Sequence, residues 1–305
     1  METLFLSPLA IVIIASIVGF FMAYGIGAND VANAMGTSVG SKAITLKQAI
    51  IIAAIFEFLG AYFGGGEVTS TIRKGIVDPT IYEDANKFII GMLSSLLAAG
   101  TWLIIASRRG WPVSTTHSIV GAIIGFVSIS KGVSYVSWGT VGGIASSWVT
   151  SPVIAGFLAF LIYLSAKKSI LDSANPGGRA VKIIPIYSFY VAFIISLVIA
   201  RKGLKNIGLE LSESDVYMFS SIFGIIAAAF TYILLRQNFS KIKKNGIESA
   251  FAILMIVSAC AMAFAHGSND VANAIGPLAA IVSTVNSNGI IAVSYTHLTL
   301  PTRLM

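Results

Sequence analysis

Two stretches of the chain carry the same set of side chains, and both sit where polar groups are expensive. Gly27-Ala-Asn29-Asp30-Val-Ala-Asn33-Ala-Met-Gly36 recurs as Gly267-Ser-Asn269-Asp270-Val-Ala-Asn273-Ala-Ile-Gly276, with eight of ten positions identical. Each follows a long apolar run, Leu4 to Ile26 in the first case and Ala250 to Ala265 in the second. An unpaired carboxylate left in a bilayer costs several kcal/mol, so an aspartate there marks a functional site. The glycines and alanines suit close helix packing, but packing gives no reason for Asn-Asp-x-x-Asn. Asn29, Asp30, Asn269 and Asp270 are oxygen ligands of the kind a hard cation takes, and Asn33 and Asn273 carry amide groups that can donate to an anion.

A third stretch offers donors of another kind. Trp111-Pro112-Val113-Ser114-Thr115-Thr116-His117-Ser118 opens an apolar run from Ile119 to Ile129. Proline followed by hydroxyl residues ahead of such a run is how a helix begins. The hydroxyls of Ser114, Thr115 and Thr116 then stand at a helix N-terminus, where free N–H groups and the positive end of the dipole favour an anion. His117 reads as a helix-orienting hydrogen-bonder before a ligand. His266 stands where the first copy has Ile26, and reads as local structure. Glu57, inside the apolar segment Thr45 to Gly66, is either a second cation ligand or proton carrier, or a structural acid satisfied by a partner. Arg108 and Arg109 read as topology-setting charges before substrate attractors.

These residues need membrane-spanning elements to hold them. Of 305 residues 56% are hydrophobic and 11% charged, and the mean hydropathy is +0.86; a soluble domain is nearer 25% charged. Apolar runs of bilayer length recur, so the expected class is an all-α polytopic membrane protein. The net charge of +7 comes from Lys and Arg in short loops, which speaks for topology and not for nucleic acid. The lone Cys260 lies in an apolar run and excludes a disulfide framework or thiolate metal site. Val136 to Ala166 is too long for one straight span, and a kink or break is expected at Ser151-Pro152. Placing the basic loops Lys167 to Lys182 and Arg236 to Lys244 inside puts the N-terminus outside. The segments before the two Asn-Asp stretches then run in opposite directions, the sign of an inverted-topology repeat built on broken helices and re-entrant hairpins.

Several of these stretches together resemble the inorganic phosphate transporter (PiT) family: Gly27 to Ala34, its second copy after Ala265-His266, Pro112-Val-Ser-Thr-Thr-His117, and Thr37-Ser-Val-Gly-Ser-Lys-Ala-Ile-Thr-Leu-Lys-Gln48. The resemblance covers residues 5 to 285 and follows the family's motif order. It implies a cation-coupled phosphate symporter of two inverted repeats, each giving one Asn-Asp signature and one Pro-Val-Ser-x-Thr-His hairpin to a central site. The expected organisation is a first repeat over 1–182 (signature 27–36, hairpin 111–129), connecting spans over 183–248, and the start of a second repeat over 249–292 (signature 267–276). A second hairpin does not appear downstream, so the second repeat reads as incomplete, and 293–305 reads as a non-native tail.

The implied function is import of inorganic phosphate with Na+ across a cell membrane, with H+ as the other coupling ion. No cofactor is expected, and homo-oligomerisation stays open. The expected phosphate contacts are Asp30, Asn33, Ser114, Thr115, Thr116, Asp270 and Asn273; the expected Na+ ligands are Asn29, Asp30, Asn269, Asp270 and Glu57. Carboxylates beside an anion are tolerable when a cation lies between them, which ties anion binding to cation binding. The alternatives are a proton-coupled phosphate or metal-phosphate symporter, a sulfate permease of the same fold, a passive anion channel, and an intramembrane hydrolase. The last has neither Gly-x-Ser-x-Gly nor His-Glu-x-x-His behind it.

Overall fold

The computed structural model describes residues 4–66, 69–71, 75–203, 211–240 and 246–287. Among them there is no strand, and seven helical stretches are long and apolar enough to cross a bilayer. The non-native tail expected over 293–305 lies outside the described residues.

Helix α1 runs from Pro8 to Gly40, through the whole first signature. The apolar run ends at Ile26, but the helix continues, because neither Gly27 nor Gly36 leaves helical φ/ψ and each costs only about 1 kcal/mol inside a helix. Helix α2, Leu46–Gly64, opens on a reciprocal cap. The Gln48 N–H donates to Thr45 Oγ1 at 3.3 Å while the Thr45 N–H donates to Gln48 Oε1 at 2.9 Å.

Helix α3, Ala85–Arg109, is capped by Asp84 and stopped by Gly110, whose φ of 67° is a left-handed value that glycine adopts without penalty. Arg108 and Arg109 sit in its last turn, where cations suit the dipole. After five intervening residues α4 begins, Thr115–Ser130. Its 16 residues span about 24 Å, short of the roughly 30 Å hydrocarbon core. Helix α5, Trp138–Ala166, passes through Pro152 without ending, so no break occurs at Ser151-Pro152. One proline removes one hydrogen bond, and the flanking turns keep their own.

Helix α6, Pro176–Val198, starts on the Asn175 cap with proline in its first turn, and α7, Glu213–Gln237, starts on Ser212. Helix α8, Glu248–His266, passes through a π-helical turn at Gly267–Val271 into α9, Ala272–Asn286. The two signatures, nearly identical in sequence, therefore differ in backbone: the first is α-helical and the second lies across a π turn.

The chain divides into two compact units. One comprises Met1–Ala32, Leu59–Gly142 and His266–Met305. Its core is the buried face of α3, with Phe88, Met92, Leu96 and Leu103, together with Ile119, Ile123 and Val127 of α4. Gly91 lets the helices close up: any Cβ there would collide with the Phe126 ring. Tyr82 stacks on Phe126 with centroids 5.4 Å apart and shares a hydrogen bond of 2.7 Å with Ser130. Burial pushes the Tyr82 hydroxyl above its ordinary pKa, against the pull of the Ser130 bond.

The other unit comprises Asn33–Phe58 and Gly143–Ala265. In it α6 lies along α7, with Gly224 against the Phe189 ring, and Ile170, Ala180, Val181, Ile184, Leu235 and Ala250 form a cluster. None of the residues of α5 is buried.

Candidate ion and anion site

The first unit gathers polar groups from three stretches of sequence. Asp30, 7% exposed, comes from α1; Thr115, 2% exposed, begins α4; Asn273, fully buried, lies in α9. The Thr115 hydroxyl donates to Asp30 Oδ2. The neighbouring Thr116 hydroxyl accepts from Asn273 Nδ2 at 3.0 Å. Asp30 and Asp270 also lie together with His266, one ligand atom from each within 4.8 Å of the others. First signature, α4 N-terminus and second signature thus touch one another in a closed triangle.

Local sequence explains how the α4 corner is held. Ser114 is its N-cap, with Oγ accepting the His117 N–H at 3.2 Å. The N–H groups of Thr115 and Thr116 precede the first intrahelical hydrogen bond and are directed ahead of the helix. Ser114 itself is exposed and serves as a cap, so a nucleophilic serine activated by His117 has no support in the geometry.

Asn29 braces the turn that leads into α4. Its Nδ2 donates to Ser107 Oγ and to the Trp111 carbonyl, each at 3.2 Å, and its Oδ1 accepts the Val113 N–H at 3.4 Å. Sequence alone had Asn29 as a cation ligand; these bonds give it a hold on the hairpin, of which spacing gives no hint because the partners are some eighty residues away. The Arg109 guanidinium packs over the Trp111 ring at 5.4 Å.

On the second signature, Asn269 Nδ2 donates to Asp270 Oδ1 at 3.3 Å, while His266 Nε2 stands 3.2 Å from Asp270 Oδ2. His266 is the residue that sequence reasoning set aside. The available signal was its place four residues before Asp270, on the same helical face. Asn273 Oδ1 is buried with no hydrogen-bond partner among the described residues, a vacant acceptor that suits a cation or a protonated anion. The expected site residues Asn33 and Glu57 belong to the other unit, Asn33 exposed and Glu57 half-buried.

A buried carboxylate, a buried hydroxyl and a buried amide, gathered in a chain with seven helices long and apolar enough to cross a bilayer, define a polytopic membrane protein with a polar interior site. Residues 26–301 match the phosphate transporter family. A protein of Haemophilus influenzae named "Putative phosphate permease" is 51% identical over 282 residues, covering 90% of this chain and 67% of that one. The "Inorganic phosphate transporter 2-1, chloroplastic" of Arabidopsis thaliana is 40% identical over 292 residues, covering 88% of this chain and 50% of its own. A solved structure described as "The sodium-dependent phosphate transporter" superposes with a TM-score of 0.83 at 37% identity, covering 94% of this chain and 70% of that one. The chain belongs to the phosphate transporter family, and it is a transporter and not an enzyme. It spans about two thirds of the length of the Haemophilus influenzae relative.

Proposed function

We propose that the chain carries inorganic phosphate inward by symport with Na+, with its N-terminus outside the cell membrane. The observation that carries this reading is the triangle of Asp30–Thr115, Thr116–Asn273 and the approach of Asp30 to Asp270. Phosphate entering a bilayer must exchange its hydration shell for donors. The N-terminal N–H groups of α4 and the Asn273 amide offer them, and the exposed Ser114 is a further donor at the approach. Two carboxylates beside an anion become acceptable once Na+ lies between them, so neither ion binds well alone. In this reading Asp30, Asp270 and Asn269 hold Na+, and Asn29 positions α4.

An aspartate can accept a hydrogen bond from a protonated phosphate oxygen, and sulfate at neutral pH has no such proton. The reading therefore selects phosphate over sulfate. Uptake of radiolabelled phosphate into proteoliposomes is expected to rise with an inward Na+ gradient at fixed pH and to resist excess sulfate. Uptake that follows a proton gradient and ignores Na+ would transfer the coupling to H+; equal uptake of the two anions with Asp30 intact would end the phosphate-selective reading.

A further inference from the structure

The two signatures differ at two of their ten positions, and one difference, Ala28 against Ser268, falls at a helix contact. Ser268 belongs to the π turn Gly267–Val271, which carries Asp270. The end of α2 lies against it, with Gly64 and Gly65 both buried. A Cβ on Gly64 would stand 2.5 Å from Ser268 Cβ and 3.6 Å from its Cα. We propose that Gly64 is a positioning residue for transport: its missing side chain lets α2 seat the π turn, and so sets where Asp270 meets the coupling cation. Asp270 is a cation ligand in the symport reading, on which this role of Gly64 rests.

Paired glycines at the end of a helix usually serve a left-handed stop. Here they do not. Among the described residues the glycines with positive φ are Gly110, Gly132 and Gly246, so neither Gly64 nor Gly65 is needed for its backbone angles. Space is the remaining reason, since glycine lets two backbones come close. No change of rotamer relieves the contact, because a Cβ is fixed to its own backbone. With alanine at position 64 the gap must widen from 2.5 Å to at least 3.4 Å for ordinary contact, and one of the two backbones must move.

Such a push reaches the carboxylate within the same turn. Asp270 follows Ser268 by two residues, and its near neighbours Asn269 and His266 sit on the same stretch and travel with it. Asp30 and Thr115 stand on other elements and stay behind, so the relation lost is the approach of Asp270 to Asp30. The first signature has no matching seat: Gly27 and Gly36 meet nothing within 4 Å, and its backbone stays α-helical. A π turn is a rare form held by its surroundings, and α2 supplies that hold on the second signature alone.

Phosphate uptake into proteoliposomes of the full chain, measured against Na+ concentration, tests the role. Gly64→Ala is expected to raise the Na+ concentration for half-maximal uptake about tenfold, as loss of a supporting group does at metal sites, with a smaller change in maximal rate. Adding Ser268→Gly removes the opposing Cβ and should return the Na+ dependence to that of the parent. Adding Ser268→Ala instead keeps that Cβ and should not. A loss of folded protein alone would lower the maximal rate and leave half-saturation in place. If Gly64→Ala yields no folded protein, the two double variants decide, with recovery expected for Ser268→Gly and not for Ser268→Ala. Unaltered half-saturation in Gly64→Ala, or equal rescue by glycine and alanine, would overturn the assignment. Should uptake by the parent follow a proton gradient and ignore Na+, the Na+ reading fails by itself, and the same series is scored on the pH of half-maximal rate.

Discussion

The Thr115 hydroxyl donates to the Asp30 carboxylate, joining the start of α4 to the first signature in a buried place. A hydrogen bond to a charged group contributes about 1.5–3 kcal/mol, and its loss strands the acceptor. Thr115→Val keeps the shape and removes the hydroxyl, so phosphate uptake should fall roughly ten- to a hundredfold. Thr115→Ser restores the donor and should recover most of the rate. Initial-rate uptake in proteoliposomes decides it: valine and serine behaving alike would remove this bond from the mechanism.

Asn273 acts as a donor toward Thr116, and the sign of the group matters more than its size. Asn273→Asp replaces an amide donor with a carboxylate at a fully buried position. The variant should lose phosphate binding and also thermal stability, since a buried charge without a partner costs several kcal/mol. Phosphate binding by calorimetry and a melting curve measure the two effects. A variant that binds and melts like the parent would contradict the placement.

Asn29 fastens the segment between α3 and α4. Asn29→Ala should destabilise the unit by about 1–3 kcal/mol, judged from the usual net worth of such bonds. Hydrogen exchange should speed up over Trp111 to Ser114 and stay unchanged in α7. A uniform rise across the chain, or none at all, would show that the brace has no local role.

Tyr82 gives a prediction in pH. Its folded pKa is raised by burial above the unfolded value, so the folded state prefers the neutral phenol. The stability this adds is complete below the ordinary tyrosine range and is lost as pH rises through the folded value. Difference absorbance between the parent and Tyr82→Phe should show one tyrosine ionising later than the exposed ones. Coincident titration would contradict the burial argument.

How far the sequence revealed this site depends on where each signal resides. The cost of charge in lipid exposed Asp30 and Asp270, and the run Pro112 to Ser118 announced the start of α4, because both are local facts about residue type. The π turn at Gly267–Val271 was not legible: the two signatures share eight of ten residues, so their different backbones arise from surroundings and not propensity. The bonds of Asn29 to the α3–α4 segment were not legible for a related reason, its partners being distant in the chain. His266 had its clue in a spacing of four, but a lone imidazole is ambiguous until the second carboxylate is seen beside it.

Asn273 meets Thr116 across a separation of 157 residues in the chain. During synthesis Asp30 and the α4 hydroxyls are inserted long before that amide leaves the ribosome. Until it arrives, Thr116 lacks the amide donor that meets it in the folded protein. The pocket therefore cannot close until α9 has been inserted, and its assembly waits on the pairing of segments made far apart in time.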